Sequence, residues 1–501
     1  MRQVIKLKTV HFIGIGGIGT SALARWFLRH GWKVSGSDSN ASSITDALKK
    51  EGVKIFIGHH AKNISQKTKL VIHSAAISAE NPEFEQAGFL KIPIKSYAEF
   101  IGDLTKLYKT LAVSGSHGKS TTTALLSLVL IKAGFDPTVI VGTKLKEFGD
   151  SNFRNGKSEY LVLEADEYQK SFLRYSPAAA IITNIDREHL DIYKNLNEIK
   201  KVFLKFINNI QFGGILVVNK DDKNLFSLKN KIQKIAEKNK LKIYWYSIFP
   251  RDIKIASGYR PRNDGKNVIA SQRRSNLNKS MLSRRMSAIL KIPGEHNLSN
   301  SLAAYTLAKV LGIKEKDIFN AVGGYRGAWR RMELRGYLNL KPKTKNLKPI
   351  IYDDYAHHPT EIKATLAGIA QKWPKTAIIC VFQPHQAQRL SALFKEFVGA
   401  FDNADVLILL DIFKVKGRDN VSHNINSKKL AEAVEKHATQ LKAKNSKLKT
   451  IIYLPHHQKL PQVLQKVLLS LRESALSPRQ SAIVVMMGAG DIYKLTDKIV
   501  K

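Results

Sequence analysis

Residues 111–123 read LAVSGSHGKSTTT, and the fold turns on this stretch. An apolar, strand-like run passes into Gly115-Ser116-His117-Gly118-Lys119-Ser120-Thr121, and the helical pattern ALLSLVLIKAGF follows from Ala124. A strand that feeds a glycine-containing turn into a helix lets main-chain amides cradle phosphates. It also sets Lys119 against developing negative charge and offers the Ser120 hydroxyl to magnesium. The spacing departs from the common G-x-x-x-x-G-K-[ST] pattern in lacking its first glycine. Downstream, Glu164 closes the run YLVL, where an acid at a strand end beside a phosphate loop suits magnesium or its water. Asp166 and Glu167 are open to surface solvation or helix capping instead. Thr183-Asn184-Ile185-Asp186-Arg187-Glu188-His189 follows a third apolar run. The convergence of three strand-end motifs makes His189 a ligand candidate rather than a packing histidine.

Outward from this centre, strand-like runs alternate with segments of helical period, the pattern of an α/β protein with parallel sheets covered by helices. Three series separate, with boundaries near 108 and 334: residues 1–108, 109–333 and 334–501. The first opens on VHFIGIGG, where Gly14, Gly16 and Gly19 form G-x-G-x-x-G after a strand and before a helix. Asp38 lies 19 residues beyond Gly19, where an acid can accept from a ribose. That reads as a nucleotide-diphosphate turn, NAD included, or as a tight turn with no ligand. Late in the second series, Pro293-Gly294-Glu295-His296-Asn297-Leu298-Ser299-Asn300 enters an apolar helix. Asn300 can address a base edge there, whereas capping accounts equally for Asn297. Arg330-Arg331 is either a polyphosphate clamp or solvated linker charge. In the third series Asp353-Asp354-Tyr355-Ala356-His357-His358, Gln383-Pro384-His385 and Gly488-Ala489-Gly490-Asp491 each end a strand, and in open parallel sheets ligands bind at such carboxyl ends.

Composition narrows the classes. With 501 residues and 44% hydrophobic content, the chain is too long for one compact unit and too apolar for disorder. No run of about 18 apolar residues argues for a membrane span. The amino terminus alternates like a strand and ends in glycines, unlike a cleaved leader. The single cysteine, Cys380, excludes an intramolecular disulfide and fits a reducing cytoplasm. The charge balance, 81 basic against 41 acidic residues for a net +40, favours anionic partners. Lysines are spread along the whole chain, so a general lysine bias explains most of it. Only 251–291 concentrates the excess, as a solvated insertion or a weak nucleic-acid patch.

The ordered strings GIGGIGTS, VSGSD, SGSHGKSTTT, LEADE, TNIDREHLDIY, PGEHNLSNSLAA, RGAWRRME, DDYAHHPTEI, FQPH and GAGDI resemble the Mur ligase family of peptidoglycan synthesis, most closely its alanine-adding branch. The resemblance implies three domains: a Rossmann-like amino-terminal domain holding the UDP substrate, a central ATPase domain with a mostly parallel sheet, and a Rossmann-like carboxyl-terminal domain that closes over ATP. It implies ATP and Mg2+, with UDP-N-acetylmuramate and L-alanine as substrates joined through an acyl phosphate. It carries Gly14, Gly16, Gly17, Gly19, Asp38 and Ser74 to the UDP substrate. Gly115, Ser116, His117, Gly118, Lys119, Ser120, Thr121, His296, Asn297, Asn300, Arg331 and Asp354 go to ATP. Lys119, Glu164 and His189 go to catalysis, Ser120, Glu164 and His189 to the metal, and His357, His358 and His385 to the side of the amino acid. A cytoplasmic enzyme, monomeric or homodimeric, with no stable nucleic-acid partner is implied.

The chain departs from the family's usual residues. Tyr168 and Gln169 follow LEADE, and the tyrosine resembles the related ligase that recycles murein tripeptide. Glu188 replaces an aspartate, Gln386 and Ala387 replace Arg-Tyr after FQPH, and KVKGRDN follows LILLDIF. Two rivals from other classes stay open at this level: an NAD-dependent oxidoreductase, resting on the first glycine motif, and a nucleic-acid-dependent ATPase, resting on charge.

Overall fold

The computed structural model describes residues 8–189, 192–248, 281–338, 349–414, 424–441, 447–473 and 482–500. The basic stretch at 251–280 and most of the KVKGRDN loop, 415–420, lie outside the described residues. Three sheets carry the fold, each with helices in its crossovers, in two compact units. Met1–Ile289 with Ser299–Gly323 forms one unit, and Leu290–Leu298 with Gly324–Lys501 forms the other.

The first unit holds two sheets. A parallel five-stranded sheet contains β1 (Thr9–Ile13), β2 (Lys33–Asp38), β3 (Lys54–Ile57), β4 (Thr68–His73) and β5 (Ile94–Ser96), in the order β3-β2-β1-β4-β5. The strand order reverses beside β1, which opens a crevice at its carboxyl end. A seven-stranded sheet contains β6 (Lys109–Ser114), β7 (Thr138–Leu145), β8 (Ser151–Arg154), β9 (Tyr160–Glu164), β10 (Ala179–Ile182), β11 (Ile215–Asn219) and β12 (Lys242–Tyr246). Its order is β12-β11-β10-β6-β9-β7-β8, parallel except for the β7–β8 hairpin. Its central strands are apolar along their middles because helices cover both faces, and Leu111, Val113, Leu161, Val162, Leu163, Ile181 and Ile182 are all but fully buried. The helix Lys119–Lys132 is buried nearly all round for the same reason.

Helix Ile18–Arg29, which leaves the first glycine turn, is fastened to the β7–β8 hairpin. Arg25 donates to both Glu51 oxygens at 2.7–3.0 Å and to Asn152 Oδ1 at 2.7 Å. The buried Asn152 amide donates in turn to Ser21 Oγ at 3.0 Å and to the Ile18 carbonyl.

The second unit contains β13 (Glu333–Tyr337), β14 (Ile350–Asp354), β15 (Ala377–Phe382), β16 (Val406–Leu410), β17 (Thr450–Leu454) and β18 (Ala482–Met487), in the order β13-β14-β18-β15-β16-β17. Only the β13–β14 pairing is antiparallel. No described helix is long and apolar enough to cross a membrane.

Candidate active site

Strand β6 lies between β9 and β10, and the registers Val113↔Glu164 and Ser114↔Ile182 bring the three carboxyl ends level. The phosphate-loop turn, Glu164 and the Thr183–His189 segment therefore share one edge. Two loop glycines are required there. Gly115 has φ +136°, and a Cβ on it would lie 2.0 Å from Thr183 Oγ1. Gly118 has φ +83°, and a Cβ would lie 2.4 Å from Asn300 Oδ1. The loop is held by its neighbour strand: His117 N donates to Asn184 Oδ1 at 2.8 Å, while Thr183 Oγ1 and Asn184 Nδ2 donate to the His117 carbonyl at 2.6 and 2.9 Å. Ser116 Oγ accepts from Asp186 N at 2.8 Å, and the His117 ring meets Asp186 at 3.0 Å. Thr121 is buried in the first turn of the helix. Asn300, read from sequence as a reader of the base edge, is placed against the phosphate loop at Gly118.

Lys119 folds back on its own loop. Its ammonium donates to the Gly115 and Ser116 carbonyls at 2.8 and 3.2 Å and to Glu167 Oε2 at 2.8 Å, with Asp166 at 3.7 Å. Burial works against this charge, but the carboxylates of Glu167 and Asp166 outweigh it and push the Lys119 pKa up. Burial would likewise raise Glu167; Lys119 and His189 reverse that and hold it down to about 2.

The expected metal set divides into two neighbouring groups. Ser120 Oγ donates to Glu164 Oε1 at 2.9 Å, and Gly142 N donates to Glu164 Oε2 at 2.6 Å. Burial raises the Glu164 pKa despite Lys119 and these donors. His189 instead faces Glu167 Oε1 at 3.5 Å and Asp166 at 3.8 Å, and the Tyr168 ring packs on it at 4.9 Å. Burial disfavours its charge, but Glu167 raises its pKa overall. Asp166, Glu167 and His189 converge closely enough to hold one cation. Glu167 is the residue that reasoning from sequence passed over. It is 1% exposed, neither solvated nor a side-chain cap, and joins Lys119 to His189.

At the first glycine turn, Thr20 Oγ1 donates to the Gly14 carbonyl at 2.7 Å, Ser74 N donates to the Ile13 carbonyl at 3.0 Å, and a Cβ on Gly14 would sit 3.0 Å from Ser74 Cβ. Gly17 precedes helix Ile18–Arg29 as its N-cap, and Gly19 lies in its first turn. Asp38 has a second role beside the ribose-acceptor reading. Its Oδ2 accepts from Gly16 N at 2.8 Å and its Oδ1 from Asn40 N at 3.3 Å, so the carboxylate shapes the turn itself.

In the second unit, the registers Asp354↔Met487 and Phe382↔Met487 bring the ends of β14, β18 and β15 level. Asp354 accepts from Met332 N at 3.1 Å and Ala356 N at 2.8 Å. Burial lifts its pKa to about 6, against the pull of Arg331 and these amides. His357 meets Glu361 at 3.3 Å, and its ring stands edge-on to His385 with centroids 6.2 Å apart. His385 stacks on Phe413 at 5.5 Å and lies 3.4 Å from Arg389. His358 caps helix Pro359–Lys372, its Nδ1 accepting from Thr360 N at 3.3 Å. Arg330 is buried and donates to the carbonyls of Gly488 and Gly490, so it is not solvated linker charge; Arg331 reaches Glu361 at 3.7 Å over the Tyr355 ring. His296 and Asn297 open helix Glu295–Val310, where Asn297 donates back to the Pro293 carbonyl at 2.6 Å.

The chain matches the Mur ligase family's catalytic domain over residues 9–109, its middle domain over 113–308 and the Mur ligase glutamate ligase domain over 330–490. It is 38% identical to the UDP-N-acetylmuramate–L-alanine ligase of Clostridium kluyveri, covering 98% of this chain and 97% of that one. Against the enzyme of the same name from Clostridium perfringens it is 39% identical, covering 99% and 98%. In fold it resembles the crystal structure of a UDP-N-acetylmuramate-alanine ligase from Thermotoga maritima, with a TM-score of 0.70 at 24% identity over 98% of this chain and 97% of that one. It also resembles a murein peptide ligase from Psychrobacter arcticus, with a TM-score of 0.62 at 20% identity over 98% of each. On its sheets, its strand-end site and these matches, the chain belongs to the Mur ligase family of three-domain α/β, ATP-dependent amide-forming ligases.

Proposed function

We propose that this protein joins L-alanine to the carboxylate of UDP-N-acetylmuramate, through an acyl phosphate formed at the expense of ATP, in peptidoglycan synthesis. The observation that carries the reading is the level alignment of the Lys119 loop, Glu164 and the Thr183–His189 segment, in a chain whose relatives of this name match it end to end. The loop amides and Lys119 hold the triphosphate, and the glycine turn beside Gly14, Gly16 and Gly17 holds the diphosphate of the UDP-sugar. Two anions must meet, the sugar carboxylate and the γ-phosphate, so positive charge between them is the central requirement.

The acidic residues fit magnesium. Glu167 Oε1 is a buried carboxylate oxygen whose nearest polar neighbour among the described residues is the His189 ring at 3.5 Å, too long for an ordinary hydrogen bond, and Ser120 and Glu164 offer further hard oxygen donors. Magnesium, when bound, supplies charge neutralisation at the transferring phosphoryl group. Ser120, Glu164 and His189 are the residues proposed to hold it, with Glu167 and Asp166 beside them. Lys119 must first leave Glu167 to reach the phosphates. Arg331 and Asp354 are proposed for the ATP side, and the His357–His385 pair with Arg389 for the amino acid. We further place the reaction in the cytoplasm, with a monomeric or homodimeric enzyme.

The test is phosphate release with UDP-N-acetylmuramate, ATP and magnesium across a panel of L-alanine, glycine, L-serine and murein tripeptide. L-alanine should give the highest kcat/KM. Preference for tripeptide would move the protein to the recycling reaction. Turnover of NADH, or stimulation by polynucleotide that collapses with salt, would favour the other classes.

A further inference from the structure

Helix Tyr97–Leu107 starts at a reciprocal cap, in which Ser96 Oγ accepts from Glu99 N and Glu99 accepts from Ser96 N. Its body is docked on the segment that follows the acidic cluster. Ser176 N donates to Thr105 Oγ1 at 3.0 Å, Arg174 pairs with Glu99 at 3.7 Å, and a Cβ on Gly102 would lie 2.6 Å from the Arg174 carbonyl. This docking fixes where its first residue, Tyr97, points. The far end of the ring lies over Gly19, in the first turn of helix Ile18–Arg29. A Cβ there would lie 2.9 Å from Tyr97 Cζ and 3.2 Å from its hydroxyl oxygen. On the other side, the hydroxyl lies within the field of Glu164 and Asp166, in the phosphate-loop site. One phenol thus stands over the first turn, the positive end, of the helix that would hold a diphosphate, and it feels the charge of the acids that would attend a γ-phosphate.

Resting on the ligase reading, we propose that the Tyr97 hydroxyl is a substrate contact, donating a hydrogen bond to the UDP-linked sugar acid between its diphosphate and its reacting carboxylate. The chemistry suits the position. Burial first, and then the two carboxylates, keep this phenol protonated, so it remains a donor. Gly19 follows from the same arrangement, because any larger residue would push the ring away.

The experiment is Tyr97→Phe, which keeps the ring and removes one oxygen. Calorimetry with UDP-N-acetylmuramate alone should show affinity reduced about tenfold. In turnover, KM for this substrate should rise similarly while KM for ATP stays within about twofold and the melting temperature is unchanged. Equal affinity of the variant and the parent would overturn the contact while leaving the ligase reading intact. Parallel losses for ATP and UDP-sugar, or a lowered melting temperature, would reduce Tyr97 to packing and overturn it too. A parent protein that does not bind UDP-N-acetylmuramate at all would refute both the contact and the ligase reading.

Discussion

Replacing Glu167 with glutamine should weaken the protein and tighten its hold on nucleotide. Glutamine keeps the shape and an oxygen for Lys119, but removes the charge that faces the ammonium at 2.8 Å. The carboxyl is held at about 2 against an ordinary 4.5, a difference worth about 3 kcal/mol at neutral pH. Glu167 is 1% exposed, so little of this is lost to solvent screening. Lys119 can recover part of it by swinging toward water. The sign with pH follows from the depressed value. The contribution is complete above about pH 4.5 and is lost as pH falls toward 2. Urea unfolding at pH 7 should therefore show Glu167→Gln less stable by about 2–3 kcal/mol, with a flatter decline between pH 4.5 and 2. Nucleotide moves the other way, because the parent must break the Lys119–Glu167 pair before the ammonium can meet a phosphate. With EDTA present, so that no metal role intervenes, a non-hydrolysable ATP analogue should bind Glu167→Gln several-fold more tightly. A stability change below about 0.5 kcal/mol, or weaker binding of the analogue, would refute the view that Glu167 parks the lysine.

Gly118→Ala should lower both stability and ATP affinity, since the residue has φ +83° and its methyl would strike Asn300; about 1–2 kcal/mol is expected in denaturant titration. Asn152→Ala strands one Arg25 N–H and cuts the link to Ser21 and the Ile18 carbonyl, costing about 1–3 kcal/mol, and should raise KM for UDP-sugar more than for ATP in steady-state assays. Asp354 carries a pKa raised to about 6, so the folded state favours its protonated form. Stability of the parent should then fall as pH rises from about 4 to 6, and Asp354→Asn should flatten that slope when unfolding is followed by tryptophan fluorescence.

The phosphate loop was legible because its chemistry is local: a strand, a glycine-bearing turn and a helix lie within one stretch of chain. The level strand ends were legible too, since parallel sheets gather their carboxyl ends on one side. Glu167 was not, because its burial depends on the irregular turn Tyr168–Arg174. There Gln169 and Lys170 adopt left-handed conformations that no spacing rule predicts, and Tyr193 from another segment donates to the Glu167 carbonyl. The cap role of His358 did leave a signal, in Pro359 and Glu361 at the first and third helical positions. Asp38 and Arg330 eluded reading because their partners are main-chain groups, Gly16 N and the Gly488 and Gly490 carbonyls. A backbone amide or carbonyl carries no letter of its own.

The Arg25–Asn152 fastening has a consequence for selectivity. It ties the helix behind the first glycine turn to the same sheet that carries the Lys119 loop, so the span between the two proposed anion sites behaves as a fixed gauge. A nucleotide sugar whose acid arm is a few bonds too short or too long would seat one end and miss the other, and length would be checked before any phosphate moves.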